Sequence, residues 1–189
     1  DEQFSAEYLD NLRTASSHLD TQIIHSCHRV RYNWKLNMEN VKDYNHVPFV
    51  HPKSFSPLMT RAPASSGDAD LPADAPATVR QLLQARARPA LSELSFPFEI
   101  PLAPANSWFR PLCDVYGEQS TYYAWFVYPN VNFCSVRGEH FLLQQYEPVS
   151  AHETDYHLWL MTARQKGQRI DFTALLSDLI RAERRVIAE

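Results

Sequence analysis

The sequence has few of the features that mark membrane-spanning, secreted or nucleic-acid-binding proteins. Its apolar runs stay well below the roughly 18 residues needed to span a bilayer, and its first residues do not form a signal-peptide pattern. The 18 Lys and Arg residues are outnumbered by 22 Asp and Glu residues, which leaves no basic stripe to neutralise successive phosphates. We therefore expect neither a membrane nor a nucleic acid among the partners.

Cysteine is also scarce. Cys27, Cys113 and Cys134 form an odd and widely spaced set, unlike the dense, even framework of a small secreted domain. We predict that all three are reduced and that the protein is cytoplasmic.

What the chain does contain is enough apolar material for one globular domain. Of its 189 residues, 44% are hydrophobic and 21% are charged, and a chain of this size buries about 70% of its unfolded surface. A single domain over residues 1–189 is therefore predicted, with a core large enough to enclose a ligand cavity.

The N-terminal part predicts helices, a strand and a loop. Apolar positions among polar ones predict a short helix within residues 4–20 and a strand over residues 21–32. The period then changes, and Trp34 to Asn45 is predicted as a helix that ends as Pro48 approaches. Residues 61–78 consist almost only of Ala, Pro, Ser, Asp and Gly, which predicts a mobile surface loop.

The C-terminal part predicts an antiparallel sheet covered by a helix. A short helix over residues 79–92 precedes five strand-like segments within residues 96–163, separated by short polar, Gly or Pro breaks. Residues 171–189 then place Leu, Ile and Val at helical spacing, so the apolar face of this helix must lie on the sheet. The predicted fold class is α+β, with a pocket between helix and sheet.

One short segment contains most of the candidate chemistry. It spans residues 33–52, and within it Glu39, Asn40, Asp43, His46 and His51 fall inside thirteen residues. Neutral imidazoles bind Fe(II) or Zn(II), and two ligands from one segment lower the cost of ordering a site. On a continuous helix, His46 and His51 would point about 140° apart, so we expect the helix to break between them, where Pro48 lies.

The same segment predicts a partner for the first histidine. Asp43 precedes His46 by three residues, which on a helix places both on one face. Its carboxylate would then accept a hydrogen bond from the ring nitrogen that does not bind metal. Taken alone, the two histidines have a plainer interpretation as residues of a helix end and a loop near a proline.

The surrounding residues favour the metal interpretation. The string NWK, then EN, then D-x-x-H-x-x-x-x-H resembles the iron-binding signature of the α subunits of Rieske non-heme iron oxygenases. These are the ring-hydroxylating dioxygenases and their demethylase and monooxygenase relatives. The residues in register are Asn33, Trp34, Lys35, Glu39, Asn40, Asp43, His46 and His51, followed by the typical continuation VPFVHP. Weaker resemblance extends over the whole chain.

The resemblance implies a fold and a ligand set. The expected fold is helix-grip (START/Bet v 1-like), an antiparallel sheet wrapped on a long C-terminal helix. His46 and His51 are expected to bind mononuclear Fe(II) in a facial triad of two histidines and one carboxylate. Asp43 is expected to be the catalytic carboxylate that bridges the iron site to the Rieske cluster of a neighbouring subunit.

The third iron ligand of the family is an Asp in the C-terminal region. The string VIAE at residues 186–189 resembles what precedes it, so we expect this carboxylate just beyond Glu189. Asp171, Asp178 and Glu189 itself stay open as alternatives.

The sequence departs from the family in lacking the Rieske motifs. The family places Cys-x-His and Cys-x-x-His, which hold a 2Fe-2S cluster, before this region, and the adjacent Cys27 and His28 cannot substitute for them. Because the chain also begins with Asp1 rather than Met, we expect a catalytic domain from which the N-terminal Rieske domain is absent.

The function implied is O2-dependent hydroxylation, by dioxygenase or monooxygenase chemistry, of an aromatic or other small organic substrate. Electrons would come from NAD(P)H through a reductase or ferredoxin and the Rieske cluster, and the complete protein is expected to be a homotrimer. The alternative is a non-catalytic module of the same fold that binds hydrophobic ligands. A zinc hydrolase is disfavoured because Asn45 stands where zincins have a Glu.

Two other groups of histidines are predicted not to bind metal. His152 and His157 repeat the His-x4-His spacing, but the first is predicted in an exposed turn and the second on a strand. Strand alternation sends His25 and Cys27 to one face and His28 to the other.

The remaining polar and aromatic candidates are predicted to be structural. The run from Tyr122 to Tyr128 is predicted as sheet core, with one face available to line the cavity. Arg110 and Arg137 are predicted to form surface salt bridges rather than to bind a substrate carboxylate.

Overall fold

The computed structural model describes residues 4–43, 46–59, 96–103, 105, 107–167 and 169–188. The predicted loop over 61–78 and the predicted helix over 79–92 lie outside these residues.

The chain begins with helix α1 (Ala6–Ser16), which is followed by strand β1 (Leu19–Val30). Ser5 caps α1, since its hydroxyl accepts a hydrogen bond from the backbone N–H of Tyr8 at 3.1 Å. Along β1, exposed and half-buried residues alternate, so one face of this strand points to solvent. The predicted helix and strand are both confirmed.

Two helices follow β1 along the chain. Helix α2 (Trp34–Lys42) is capped by Asn33, whose side chain accepts a hydrogen bond from the backbone N–H of Lys35 at 3.0 Å. Helix α3 (Val47–Val50) is a single turn with a proline in its first positions, where the missing N–H costs nothing.

The remaining strands form one antiparallel sheet with β1. They are β2 (Phe96–Pro101), β3 (Thr121–Val127), β4 (Val131–Val136), β5 (His140–Ser150) and β6 (Glu153–Ala163). The strand order is β1-β6-β5-β4-β3-β2. Each strand from β2 to β5 pairs with the next one along the chain, which confirms the predicted meander, and β6 also pairs with β1.

The centre of the sheet is buried on both faces. Strands β3 and β4 are buried along nearly their whole length. On one face, Asn11 of α1 accepts a hydrogen bond from the indole N–H of Trp125. Side chains two residues apart in a strand share a face, so Tyr122 and Phe126 belong to the opposite face, the one that carries the site.

A long helix covers part of this opposite face. Helix α4 (Thr173–Ala188) packs on β1 and β6. Leu176 and Ile180 of α4 are buried with the preceding Phe172, and their spacing of four residues makes one apolar stripe. The α+β class and the sheet wrapped on a C-terminal helix are confirmed. In the described part of the chain, no helix has the length and apolar character needed to cross a membrane.

Candidate metal and substrate site

A cavity of about 680 Å³ lies between α4, the segment that contains α2 and α3, and the face of β4, β5 and β6. Its volume falls within the range of small-molecule sites. Alternate residues of the strands line it, as expected for one face of a pleated sheet. They are Asn132, Cys134 and Val136 from β4, Leu142, Gln144 and Tyr146 from β5, and Tyr156 and Leu160 from β6.

His46 and His51 both line this cavity and stand at the two ends of α3. His46 is the residue before the helix and His51 the residue after it. Their ring centroids are 5.3 Å apart and the ring planes meet at 72°. The structure thus brings together the two predicted ligands on one wall.

The path of the backbone between the histidines differs from the predicted one. We expected a helix over Trp34 to Asn45, with a break near Pro48 between the two histidines. Instead α2 ends at Lys42, and Pro48 lies within the first positions of α3. Proline fits there because the first helical N–H groups need no partner inside the helix. The rings converge because His51 leaves helical geometry, with φ −116° and ψ 48°.

The chemistry of the two rings fits a divalent metal ion such as Fe(II). The Nδ1 atom of His46 is buried and has no hydrogen-bond partner among the described residues, and a buried imidazole nitrogen normally has one. Imidazole nitrogens are common ligands of Fe and Zn. His51 is only 9% exposed and His46 is half-buried, so the two rings would hold an ion at the cavity wall.

Asp43 lies at the end of α2 rather than on a helix shared with His46. It is exposed and has φ −96° and ψ 109°, outside the helical region. Asp43 and His46 therefore do not lie on one helical face, and the three-residue spacing no longer predicts that the carboxylate lies beside the His46 ring. Its role as a bridging carboxylate stays a prediction.

The alternatives for a third ligand lie away from the cavity or outside the described residues. Asp171 accepts hydrogen bonds from the backbone N–H and hydroxyl of Thr173 just before α4, and Asp178 is exposed and bonded to Arg181. Glu189 is outside the described residues. The carboxylate of α4 that does line the cavity is Glu183.

Glu183 and the polar groups opposite it were not predicted from the sequence. Burial raises the pKa of Glu183 to about 7. Burial, with Arg137 nearby, lowers the pKa of His140 to about 4. Period-two spacing in β4 and β5 does mark Asn132 and Gln144 as neighbours on one face, but it does not say which face carries the site.

Of the other histidine groups, His25 and His157 lie with Cys27 on the solvent-facing side of the sheet. His25 Nε2 is 3.1 Å from His157 Nδ1, and Cys27 Sγ is 3.8 Å from His157 Nε2. His28 is half-buried and on the opposite face, and His152 lies in an exposed turn, as predicted. No group of three metal-binding side chains with suitable geometry occurs within the residues that the structure describes.

The aromatic run is sheet core as predicted, except that Tyr128 follows β3 and is exposed. Tyr122 and Trp125 are buried, and Tyr122 also lines the cavity. The predicted salt bridge is confirmed for Arg110, although its partner is buried rather than at the surface, and the prediction is wrong for Arg137. Arg110 Nη1 lies 3.0 Å from Oε1 of the buried Glu139, and Arg137 is itself buried and donates to a backbone carbonyl.

Comparison with known proteins agrees with this fold. The crystal structure of the quaternary ammonium Rieske monooxygenase CntA with a bound inhibitor matches with a TM-score of 0.56 and 13% identity, over 97% of this chain and 40% of that chain. The structure of Pseudomonas putida CBB5 NdmA, a mutant with theobromine, matches with a TM-score of 0.41 and 16% identity, over 90% and 41%. The first of these likenesses supports the α+β fold with a helix-covered sheet.

The amino-acid sequence identifies the family to which the chain belongs. The family described as ring hydroxylating alpha subunit, catalytic domain, matches residues 7–189, and this chain belongs to it. A comparison with curated protein sequences finds no match. The chain spans about two fifths of the length of the two similar structures.

Proposed function

We propose that the protein is an oxygenase that hydroxylates an aromatic or other small organic substrate with O2 at a mononuclear non-heme Fe(II) site. The observation that carries this proposal is the pair His46 and His51 on one wall of a cavity of about 680 Å³. A buried ring nitrogen of His46 without a hydrogen-bond partner among the described residues supports a ligand there. Membership of the family supports the same chemistry.

The residues of this chain have separate roles in the proposal. His46 and His51 would hold the iron, together with a carboxylate as third ligand. The iron, when bound, would supply the O2-activating redox chemistry. The apolar part of the wall, which includes Val47, Leu142 and Leu160, would orient the substrate and exclude water.

Electron delivery would depend on other parts of the assembly. We propose that electrons pass from NAD(P)H through a reductase or ferredoxin to a Rieske 2Fe-2S cluster, and from there to the iron site near Asp43. The exposed position of Asp43 at the end of α2 suits a contact between subunits. A homotrimer located in the cytoplasm is the assembly that we propose.

A second candidate is a carrier that binds hydrophobic ligands without oxidising them. It is favoured by one observation: within the residues that the structure describes, no group of three metal-binding side chains is found. The cavity and fold would be the same in both cases.

The two candidates differ in the fate of oxygen. The protein, supplied with NAD(P)H, a reductase and ferredoxin from its source and a panel of small aromatic compounds under labelled O2, should place labelled oxygen in an organic product. The His51→Ala variant should form no such product, while His152→Ala, which alters an exposed turn, should keep the activity. Binding of the same compounds without any labelled product would support the carrier.

A further inference from the structure

One part of the cavity wall contains a hydrogen-bonded network of polar side chains centred on Gln144 of β5. Its amide nitrogen donates to the hydroxyl of Tyr156 at 2.8 Å and to Glu183 Oε1 at 3.2 Å. Its amide oxygen accepts from Asn132 Nδ2 at 2.8 Å and from the hydroxyl of Tyr146 at 3.2 Å. Strands β4, β5 and β6 and helix α4 each contribute to this set.

Gln144 has no hydrogen-bonding capacity left for a ligand. A glutamine side chain offers two N–H donors and two acceptor positions, and its four neighbours occupy all of them. Gln144 therefore orients the groups around it. The atoms with unused capacity are those of its neighbours.

Two of these neighbours present acceptors to the cavity. Asn132 is 1% exposed, and its Oδ1 atom is buried with no hydrogen-bond partner among the described residues. Glu183 receives a hydrogen bond from Gln144, while a carboxylate has about four acceptor positions. Both side chains line the cavity. A ligand group that fits here must donate hydrogen bonds.

The charge on Glu183 also lacks compensation. No ion pair joins it to a Lys, Arg or His in the described part of the chain, and burial is the cause that raises its pKa to about 7. A buried carboxylate without a counter-charge is costly. A cationic ligand would restore its charged form, which a neutral donor would not do.

The Lys and Arg side chains that line the cavity form no ion pair with Glu183 in the described part of the chain. Lys53 and Arg185 are exposed residues. Arg137 is buried, and its Nη2 donates to the carbonyl of Ala103 at 2.7 Å. Its position in the turn after β4 separates it along the sheet from Asn132, the first buried residue of that strand.

We propose that Glu183 and Asn132 form a subsite for a protonated amine of the substrate, whose N–H groups donate to the Glu183 carboxylate and to Asn132 Oδ1. This inference deepens the proposed function, since it names the substrate class of the same cavity. Tyr146 and Tyr156, stacked with ring centroids 5.2 Å apart, would flank the apolar part of such a ligand.

The test is a binding titration that needs neither iron nor O2. Three probes of similar shape are titrated calorimetrically into the protein: 2-phenylethylamine, the neutral 2-phenylethanol and the anionic 3-phenylpropionate. We expect the amine to bind roughly tenfold more tightly than the alcohol. Glu183→Gln, which keeps the shape and the acceptor for Gln144, should remove this preference while changing alcohol affinity less than about twofold.

The matched control is Asp178→Asn, which removes an exposed carboxylate from the same helix and should leave all three affinities unchanged. The proposal is overturned if the amine fails to bind, if it binds no better than the alcohol, if the carboxylate probe binds best, or if Glu183→Gln binds the amine as tightly as the unaltered protein. Amine binding without oxygenation would refute the proposed function and leave the subsite intact. Oxygenation without a preference for the amine would refute the subsite and leave the proposed function intact.

Discussion

At the scale of single residues, the candidate metal site depends on the two ends of one helical turn. His46 precedes α3 and His51 follows it, so the backbone of four residues fixes the separation of the rings. The backbone N–H of His51 donates to the carbonyl of Val47 at 2.9 Å, which closes the turn. Two rings held by one closed turn lose little conformational entropy when they bind an ion.

A glycine in the turn between β4 and β5 offers a residue-scale prediction. Gly138 has φ +66° in the turn between β4 and β5, and an added Cβ would lie 1.6 Å from the carbonyl oxygen of Tyr116. Gly138→Ala should therefore lower the free energy of unfolding by about 3 kcal/mol or more, since both backbone strain and a backbone clash are introduced. Urea unfolding measures this loss.

Gly167 supplies the control for that prediction. Its φ is +75°, but an added Cβ would meet no atom within 4 Å. Gly167→Ala should cost only about 1 kcal/mol, from the positive φ alone. Equal losses for the two variants would contradict the clash at Gly138.

At the scale of elements, strand and helix periodicity predicted the fold more fully than it predicted the site. The alternating segments became β2 to β6, and the apolar spacing of residues 171–189 became α4. Periodicity could not locate the end of α2, because residues after Lys42 continue without a Gly or Pro until Pro48. The geometry of His46 and His51 depends on that end.

The polar part of the cavity was not predicted from the sequence, for a different physical reason. Asn132, Gln144 and Glu183 are far apart in the sequence and meet only after β4, β5 and α4 pack together. Each one alone resembles an ordinary surface residue of an amphipathic element. The two histidines were found because a single short segment holds both.

A buried ion pair between elements gives a second prediction. Arg110 Nη1 donates to Glu139 Oε1 at 3.0 Å and to the carbonyl of Arg137 at 2.7 Å, and the Glu139 side chain is 2% exposed. Arg110→Ala would leave this carboxylate buried without its cation, so the free energy of unfolding should fall by about 3 kcal/mol. Denaturant unfolding followed by circular dichroism measures the change.

An exposed ion pair on the sheet provides the comparison. Arg29 pairs with Asp155, and its side chain is 54% exposed. Arg29→Ala should cost less than about 1 kcal/mol because water screens the pair. A loss at Arg29 as large as the loss at Arg110 would show that burial of Glu139 is not the cause.

At the scale of the whole molecule, the cavity is the feature that joins fold and chemistry. Helix α4, the segment with α2 and α3, and three strands enclose about 680 Å³, with His46 and His51 on one wall and Glu183 on α4. The chain belongs to the family described as ring hydroxylating alpha subunit, catalytic domain. A ligand anchored at Glu183 would extend into the same space that the two histidines line.

The most direct test of the proposed iron site is a titration of the protein with Fe(II) under anaerobic conditions, in which binding is measured by calorimetry. The account predicts about one equivalent bound, as for a mononuclear site, with binding lost in His51→Ala and kept in His152→Ala. Absence of stoichiometric binding, or equal binding by the protein and its His51→Ala variant, would contradict the assignment of His46 and His51 as iron ligands.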